Sequence, residues 1–546
     1  MSERILVCVA WPYANYLLHV GQAAGAYLPA DIFARYHRLK GNNVLMVSGS
    51  DSHGTPITVA ADREGISPRD IVDRYHPKIV EVWERLGISF DLYTTTLTDN
   101  HYATTQEMFS RLLEHDYLYT ATQEQLYDAQ ADRFLPDRYV QGTCPHCGFT
   151  EARGDQCDNC GKQLDATELV APVSTISGST PVLRETEHFF LKLTALEDRL
   201  KAWVEDQHHW RLNVRNFTLG VLNEGLKDRA ITRDIAWGVP VPLEGYESKR
   251  IYVWFDAVIG YLSASREWAQ REGDAEAWRP YWEDASTRSY YFIGKDNIPF
   301  HTIIWPAILA GYGGLNLPYD VPANQYVNFS AGQKQSKSKG TGNWVLDLLD
   351  HYDADLLRFY LTHIMPETSD SEFREEEMMR VNNEVLIATW GNLANRVISM
   401  IHRNFAGVVP ESGTLAPESA ELLASASAAF DTVGERINTC QFRAALQEAL
   451  RLAQATNRYL DDRAPWKAVK QDLPHAAQTL ATAVSVINGL KVLLHPVIPH
   501  STARLHQSLG LEGTIGDGGW QFTALDPGHQ LGEPEALYKK LEIDPV

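Results

Sequence analysis

The chain has 546 residues, of which 44% are hydrophobic and 22% are charged, and its formal net charge is -21. This is the composition of a globular protein with about two to four domains, and the acidic balance argues against a general nucleic-acid binder because phosphate contacts need Lys and Arg. Six cysteines, four of them clustered, argue against a disulfide scaffold and favour a metal site in a reducing compartment. No apolar stretch reaches the length of a membrane span, so we expect a cytoplasmic protein that is not bound to a membrane.

The first strand–turn–helix unit contains a candidate phosphate site. Residues 5–9 form a continuous apolar run, which is typical of a strand buried on both faces of a parallel sheet. A helical pattern follows at residues 20–39. His19 and Gly21 stand at the start of this helix, where backbone N–H groups without helical partners can bind phosphate. By itself the signal is weak, because a histidine near a helix start is more often a cap or a surface residue.

Residues 44–48 predict a second buried strand, which ends just before Asp51. In open α/β sheets ligands bind at the carboxyl ends of strands, so Asp51 could pair with an α-amino group. The alternative is that Asp51 caps the helix that Pro56 opens.

An insertion interrupts the alternation of strands and helices at residues 118–233. It contains two C-x-x-C motifs nine residues apart, each followed by glycine: Cys144 with Cys147, and Cys157 with Cys160. Four thiolates at this spacing can hold one tetrahedral zinc, and a closed ligand set indicates a structural metal. A redox pair is the weaker alternative, because no flanking strand and helix resemble those of a redox C-x-x-C site.

Beyond the insertion, residues 251–255 and 290–294 predict strands of the sheet, and residues 347–362 predict one amphipathic helix. Between them, Lys334, Ser336, Lys337 and Ser338 form a lysine–serine loop beside glycines. This loop suits the binding of a triphosphate, although a solvated basic loop is the simpler interpretation. From about residue 381 the chain is predicted to be helical throughout and to form an antiparallel bundle. Taken alone, Trp466 would be a buried tryptophan of that bundle.

Several motifs together resemble a known family. His19-Val20-Gly21 and Lys334-Gln335-Ser336-Lys337-Ser338 resemble the two ATP signatures of class I aminoacyl-tRNA synthetases. Three further segments, residues 51–56, 252–257 and 294–301, narrow the resemblance to the methionyl-tRNA synthetase family. The resemblance extends from about residue 5 to about residue 541.

The resemblance implies an α/β fold: a Rossmann-type parallel-sheet catalytic domain with a zinc-bearing connective insertion, followed by an all-α anticodon-binding bundle. The implied domains are the two catalytic halves (1–117 and 234–325), the insertion (118–233), the loop and stem-contact region (326–380) and the anticodon-binding domain (381–546). The implied activity is ATP-dependent activation of L-methionine and its transfer to tRNA(Met). One structural Zn²⁺ and Mg²⁺ with ATP are the implied cofactors. Relatives that dimerise use a C-terminal extension, so a monomer is expected.

The resemblance also implies roles for particular residues. The ATP site is expected to contain His19, Gly21, Lys334, Ser336, Lys337 and Ser338, and the catalytic residues are expected to be His19, Gly21, Gln22, Lys334 and Lys337. The methionine site is expected to contain Trp11, Tyr13, Asp51, Trp254, Ala257, Tyr261, Phe300 and His301. The anticodon is expected to contact Asn392, Arg396 and Trp466.

The sequence departs from the family pattern at Trp11, Tyr16, Leu17, Gln22, Val258 and Gln335, and Gln22 replaces the second histidine of the first ATP signature. Two alternatives therefore remain. One is a class I synthetase for leucine, isoleucine, valine or cysteine. The first three usually carry a large editing insertion, which this sequence lacks. A cysteine enzyme uses zinc to bind the substrate thiol, and a closed four-thiolate site leaves no open position for it. The other is a degenerate paralogue, either an RNA-binding or regulatory protein or an enzyme that adenylates an amino acid without transferring it to tRNA.

Overall fold

The computed structural model of the chain describes residues 2–154, 157–162, 164–329 and 344–542. Lys334, Ser336, Lys337 and Ser338 lie outside the described residues, as does Gln335. The strands, in chain order, are β1 Arg4–Val9, β2 Asn43–Ser50, β3 Leu92–Thr95, β4 Leu118–Asp128, β5 Arg133–Phe134, β6 Val140–Thr143, β7 Ala152–Arg153, β8 Val170–Ser174, β9 Val182–Leu191, β10 Arg229–Ala230, β11 Thr232–Arg233, β12 Arg250–Ile251, β13 Arg288–Gly294, β14 Ala323–Asn324, β15 Val327–Phe329 and β16 Ser371–Phe373.

The helices, in chain order, are α1 Val20–Gln22, α2 Leu28–Leu39, α3 Thr55–Glu64, α4 Pro68–Leu86, α5 Asp99–Glu114, α6 Glu197–Glu205, α7 Leu212–Glu224, α8 Val253–Arg271, α9 Arg279–Glu283, α10 Trp305–Tyr312, α11 Val345–His351, α12 Ala354–His363, α13 Glu375–Val381, α14 Asn392–Phe405, α15 Pro417–Asn438, α16 Phe442–Arg463, α17 Pro465–Ala468, α18 Leu473–Leu494, α19 Pro499–Ser508 and α20 Ile515–Gly518. Short π-helical segments at Ala23–Tyr27, Phe300–Ile304 and Asn382–Gly391 join α1 to α2, precede α10 and join α13 to α14.

A parallel sheet with strand order β14-β13-β1-β2-β3 forms the centre of the N-terminal region. Residues 5–9 of β1 are fully buried, because β2 and β13 pair with this strand on its two sides and the helices cover both faces. The prediction of a Rossmann-type parallel sheet is therefore confirmed. The carboxyl ends of β1, β2 and β13 meet at one edge, which brings the first turn, the segment after Ser50 and the segment after Gly294 together.

The insertion contains two small antiparallel sheets. Strands β4 and β9 form a long ladder from the pair Leu118 and Leu191 to the pair Tyr127 and Val182, with β10 and β5 at its edges. Strands β7, β6 and β8 form the other sheet, beside the four cysteines. Cys144 and Cys157 are buried in the small hydrophobic core of this region.

The C-terminal region is a helical bundle in which α14, α15, α16 and α18 pack together. The expectation that no apolar stretch reaches the length of a membrane span is wrong for helix α18, which is long and apolar enough by length and composition alone. Its apolar stretch is entirely buried inside the protein. The expectation of helix throughout this region is wrong for residues 519–542. This stretch is irregular and packs back on the bundle, for example by an antiparallel bridge between Val408 and Gln530.

Two other predicted elements differ from the structure. Residues 251–255 are not one strand, because β12 ends at Ile251 and α8 begins at Val253. Tyr252 caps α8, and its carbonyl accepts the N–H groups of Phe255 and Asp256. Residues 347–362 are two helices, since the Asp353 side chain accepts the N–H of Asp355 and begins α12 with its own cap.

Candidate functional site

The first turn and the segment after β2 are joined directly at the sheet edge. Tyr13 and Asp51 form a parallel bridge, in which Ala14 N–H donates to the Asp51 carbonyl (3.0 Å) and Asp51 N–H donates to the Pro12 carbonyl (2.9 Å). The Tyr13 ring lies on Gly54, where a Cβ atom would come within 2.1 Å of a ring carbon. A glycine is therefore required at position 54 for this ring to reach the edge of the sheet.

Aromatic side chains from three segments converge at the edge of the sheet where Tyr13 pairs with Asp51. The rings of Trp254 and Phe300 stack with centroids 3.8 Å apart and an interplanar angle of 9°. Tyr13 meets Trp254 edge-on at 6.4 Å. Ala257 is buried in the first turns of α8, one residue after Asp256. The rings of Tyr13, Trp254 and Phe300 form an aromatic wall, and the backbone of Tyr13 joins this wall to Asp51.

Tyr261 and His301 form a buried pair behind this wall. The Tyr261 hydroxyl donates to His301 Nε2 (2.7 Å), and His301 Nδ1 donates to the Asn297 carbonyl (2.9 Å). Burial lowers the pKa of His301 to about 4 and raises the pKa of Tyr261 well above its usual value. The imidazole is therefore neutral at physiological pH, and one tautomer satisfies both hydrogen bonds.

Trp11 packs between β2 and α8. A Cβ atom at Gly49 would lie 2.3 Å from the Trp11 ring, and one at Gly260 would lie 2.8 Å from it. The two glycines thus make space for the indole. Trp11 Nε1 is buried and has no hydrogen-bond partner among the described residues.

The Asp51 carboxylate is only 3% exposed. One of its oxygens accepts the His53 backbone N–H at 3.1 Å. Burial, and then the negative charge of Asp256, raise the pKa of Asp51 well above its usual value. A ligand with an ammonium group would compensate both effects, because an opposite charge stabilises the ionised carboxylate.

His19 and Gln22 cap each other at the helix start. Gln22 N–H donates to His19 Nδ1 (3.3 Å), and His19 N–H donates to the Gln22 amide oxygen (3.1 Å). In a neutral ring this arrangement leaves the proton on His19 Nε2, which can donate to a phosphate oxygen. A Cβ atom at Gly21 would lie 3.7 Å from the Val327 carbonyl, and His19 bridges to Trp344. The chain on either side of the lysine–serine loop therefore approaches this helix start.

The four cysteines form two equivalent knuckles. The Cys144 carbonyl accepts the Gly148 N–H and the Cys157 carbonyl accepts the Gly161 N–H, and both glycines have a positive φ, of 75° and 73°. The sulfur atoms lie 4.0 Å apart for Cys144 and Cys160 and 3.6 Å apart for Cys147 and Cys157, and all four lie within 4.8 Å of one another. Thiolates about 2.3 Å from a tetrahedral zinc would be separated by about 3.8 Å, so these residues fit a zinc ion.

The residues expected to contact the anticodon share one side of the bundle. The Arg396 guanidinium lies 5.7 Å from the centre of the Trp466 ring, donates to the Asn457 amide oxygen (3.0 Å) and lies 3.6 Å from Asp461. Asn392 is exposed one turn before Arg396. Trp466 is 39% exposed, so the interpretation of a fully buried tryptophan is wrong.

Sequence reasoning missed a group of buried side chains beside the aromatic wall. Asp256 contacts both His53 and His101, which lie on different elements. Nothing in the local sequence signals this contact, because the residues are separated by 155 positions or more. Tyr16 was noted only as a departure, and its ring contacts those of Tyr75 and Trp344.

Comparisons with known proteins agree with the geometry. A family model described as "tRNA synthetases class I (M)" matches residues 5–398, and one described as "Anticodon binding domain of methionyl tRNA ligase" matches residues 409–545. Methionine–tRNA ligase of Dehalococcoides mccartyi is 55% identical over 542 residues, covering 99% of this chain and 98% of the relative. Methionine–tRNA ligase of Roseiflexus castenholzii is 51% identical over 577 residues, covering 99% of this chain and 97% of the relative.

A solved structure gives the same result. The crystal structure of Mycobacterium tuberculosis methionyl-tRNA synthetase bound by methionyl-adenylate superposes with a TM-score of 0.81 at 26% identity, covering 99% of this chain and 100% of that chain. These matches together cover the sheet, the insertion and the helical bundle of this chain. The chain belongs to the methionyl-tRNA synthetase family of class I aminoacyl-tRNA synthetases.

Proposed function

We propose that this chain is a methionine–tRNA ligase. It activates L-methionine with ATP to methionyl-adenylate and transfers the methionyl group to the 3′-terminal adenosine of tRNA(Met), releasing pyrophosphate and AMP. The observation that carries the proposal is the buried Asp51, whose backbone pairs with Tyr13, while the Tyr13 ring meets Trp254 and Trp254 stacks on Phe300. A carboxylate beside a flexible, polarizable apolar pocket suits the ammonium and the thioether of methionine.

In this proposal Asp51 binds the methionine ammonium, and the aromatic wall surrounds the side chain. The methionine site consists of Trp11, Tyr13, Asp51, Trp254, Ala257, Tyr261, Phe300 and His301. His301 and Tyr261 are mutually hydrogen-bonded, so they offer the ligand little unpaired polarity. Trp11 reduces the volume beneath the wall relative to a leucine.

The first chemical step is attack of the methionine carboxylate on the α-phosphorus of ATP. A new P–O bond forms, and the bond to the β-phosphate oxygen breaks, so that pyrophosphate leaves. His19 Nε2 donates to a phosphate oxygen, and Gly21 lets the backbone come close to the nucleotide. Lys334 and Lys337, with Ser336 and Ser338, stabilise the charge that develops on the leaving group, and this stabilisation accelerates the step. Mg²⁺ enters with ATP as part of the substrate.

Gln22 has a more local function than a second signature histidine. Its amide oxygen accepts the His19 backbone N–H, which fixes the start of the helix, and its backbone N–H donates to Nδ1 of the His19 ring. We therefore assign Gln22 to the orientation of His19 rather than to direct charge stabilisation.

In the second step the 2′-hydroxyl of the terminal adenosine attacks the methionyl carbonyl, and AMP leaves. The exposed Asn392 and Trp466 and the half-buried Arg396 receive the anticodon, since aromatic and guanidinium planes stack on unpaired bases. Cys144, Cys147, Cys157 and Cys160 hold a zinc ion, which supports the fold of the insertion and takes no part in the chemistry. The five-part division of the chain, a cytoplasmic location and a monomeric state remain predictions, and light scattering of the purified protein tests the last.

The test is ATP–pyrophosphate exchange with each of five amino acids, followed by charging of tRNA(Met). Exchange that depends on methionine, together with charging, supports the proposal. Exchange with leucine, isoleucine, valine or cysteine instead would identify a different class I synthetase. Exchange without charging, or neither activity, would identify a paralogue. The relatives named above favour neither alternative.

A further inference from the structure

A buried carboxylate joins the two halves of the methionine pocket. Asp256 lies in the first turn of α8 and is fully buried. One oxygen lies 2.6 Å from His53 Nδ1, and the other contacts His101 Nε2. Both imidazoles are also buried, and each has a second partner: Tyr102 for His53 and Ser263 for His101.

Protons rather than a metal join these three side chains. Ligands about 2.0–2.1 Å from a tetrahedral zinc would lie about 3.3 Å apart. The Asp256–His53 separation of 2.6 Å is shorter and is that of a charge-assisted hydrogen bond. Each carboxylate oxygen faces one imidazole nitrogen, so both histidines donate to Asp256. Burial alone would raise the pKa of Asp256, but the two histidines outweigh burial and hold that pKa below its usual value.

The cluster is connected to Asp51 through one backbone group. His53 N–H donates to the Asp51 carboxylate (3.1 Å), while the His53 ring donates to Asp256. On the other side, Asp256 shares helix α8 with Trp254 and Tyr261. Asp256 therefore connects the end of β2, next to the ammonium-binding carboxylate, with helix α8, which contributes Trp254 to the aromatic wall.

We infer that Asp256, held by His53 and His101, is a positioning residue that sets the distance between the Asp51 carboxylate and the aromatic wall of the methionine pocket. This inference rests on the proposed function. Asp256 itself touches neither substrate. Its contribution is to hold the His53 N–H against Asp51 and to hold the start of α8, so its loss should weaken methionine binding and leave ATP binding unchanged.

The test compares His101→Leu, His101→Gln and Asp256→Asn in methionine-dependent ATP–pyrophosphate exchange. His101→Leu removes the donor to Asp256, and His101→Gln retains an N–H at about the position of Nε2. We expect the methionine KM to rise roughly ten-fold in His101→Leu, which corresponds to a free-energy change of about 1.4 kcal/mol. The ATP KM and kcat should stay within about two-fold, and His101→Gln should restore most of the methionine affinity.

Asp256→Asn is a second test, in which a positioning role and a purely electrostatic role of Asp256 predict opposite changes in the methionine KM. If Asp256 acted only by its charge, its removal would ease ionisation of Asp51 and lower the methionine KM. Positioning requires the methionine KM to rise instead, and the effects of Asp256→Asn and His101→Leu should be strongly non-additive in the double variant, because both act through one contact. Asp320→Asn, which removes a half-buried carboxylate beside β13 and away from the methionine pocket, is the control and should leave both KM values unchanged.

The outcomes distinguish a failure of the proposed function from a failure of the positioning role of Asp256. Absence of methionine-dependent exchange in the wild-type protein would refute the proposed function. An active wild type with unchanged methionine KM in His101→Leu would overturn the inference, as would equal changes in the methionine and ATP KM values. Should Asp256→Asn fail to fold, the contrast between His101→Leu and His101→Gln decides alone.

Discussion

Replacing Asp51 by asparagine should abolish most methionine binding and at the same time stabilise the folded protein. Asparagine has nearly the same volume, and its amide oxygen can still accept the His53 N–H that now binds Asp51. The substitution therefore removes the charge while preserving the shape of the sheet edge. It separates a role in ammonium binding from a role as a helix cap.

The expected loss of affinity follows from the burial of the carboxylate. Asp51 is 3% exposed, so water cannot replace it as the partner of the ammonium group. Truncating one partner of a buried, hydrogen-bonded charge pair costs about 2–5 kcal/mol. The methionine KM should therefore rise by roughly thirty-fold to a few thousand-fold, given that about 1.4 kcal/mol is a factor of ten.

The expected gain in stability follows from the raised pKa of Asp51. Because burial and Asp256 raise that pKa above 3.8, the folded state binds the proton more tightly than the unfolded state. Stability contributed by the protonated form is then lost as the pH rises through the folded pKa, by about 1.4 kcal/mol for each pKa unit of difference. Asparagine does not ionise, so the variant should have a higher Tm than the wild type at pH 7. The difference should shrink as the pH falls towards 4.

The assay is ATP–pyrophosphate exchange at varied methionine, with thermal unfolding at pH 4.5 and pH 7 on the same preparations. Asp320→Asn is the control, since burial also raises the pKa of Asp320, to about 6. It should raise the Tm at pH 7 without changing the methionine KM. A methionine KM within about three-fold of the wild type in Asp51→Asn would refute the assignment of Asp51 to the ammonium, because a buried pair cannot contribute so little.

Other substitutions test the remaining parts of the site. Purified protein should contain one zinc per chain, and Cys147→Ser should lose the metal and lower the Tm, because metal binding is coupled to folding; unchanged zinc by elemental analysis would contradict this. Lys337→Ala should leave methionine binding nearly intact and greatly reduce adenylate formation, since the lysine acts on charge that develops in the transition state; equal losses in methionine affinity and rate would exclude that role. Trp466→Ala should lower tRNA charging by roughly ten- to a hundred-fold, from about 1–3 kcal/mol of base stacking, with exchange nearly normal. Because Trp466 is 39% exposed, the variant should lose less stability than the about 3–5 kcal/mol that truncation of a buried tryptophan costs, and its Tm should fall accordingly little. Parallel loss of both activities would contradict the anticodon role.

Elements with local signals are predictable from the amino-acid sequence alone. Residues 5–9 form a buried parallel strand because a short β-branched apolar run can satisfy no other environment as well. The cysteine knuckles are likewise local, since each C-x-x-C-G segment makes its own tight turn. The two ATP signatures and the anticodon residues are predicted from the resemblance to a family. That resemblance identifies residue types but does not give their positions in space.

Features that depend on contacts between distant segments follow only from the folded structure. The run at residues 251–255 is apolar enough for a strand, but it is helical from Val253, where the chain packs in the core and Asp256 can reach two histidines. The exposure of Trp466 likewise depends on how α17 lies against Arg396 on α14. The group of His53, His101 and Asp256 has no local signal, because no short-range preference places a carboxylate between imidazoles from two other elements. Only the packing of α5 and α8 on the end of β2 creates that contact, and with it the electrostatic environment of Asp51.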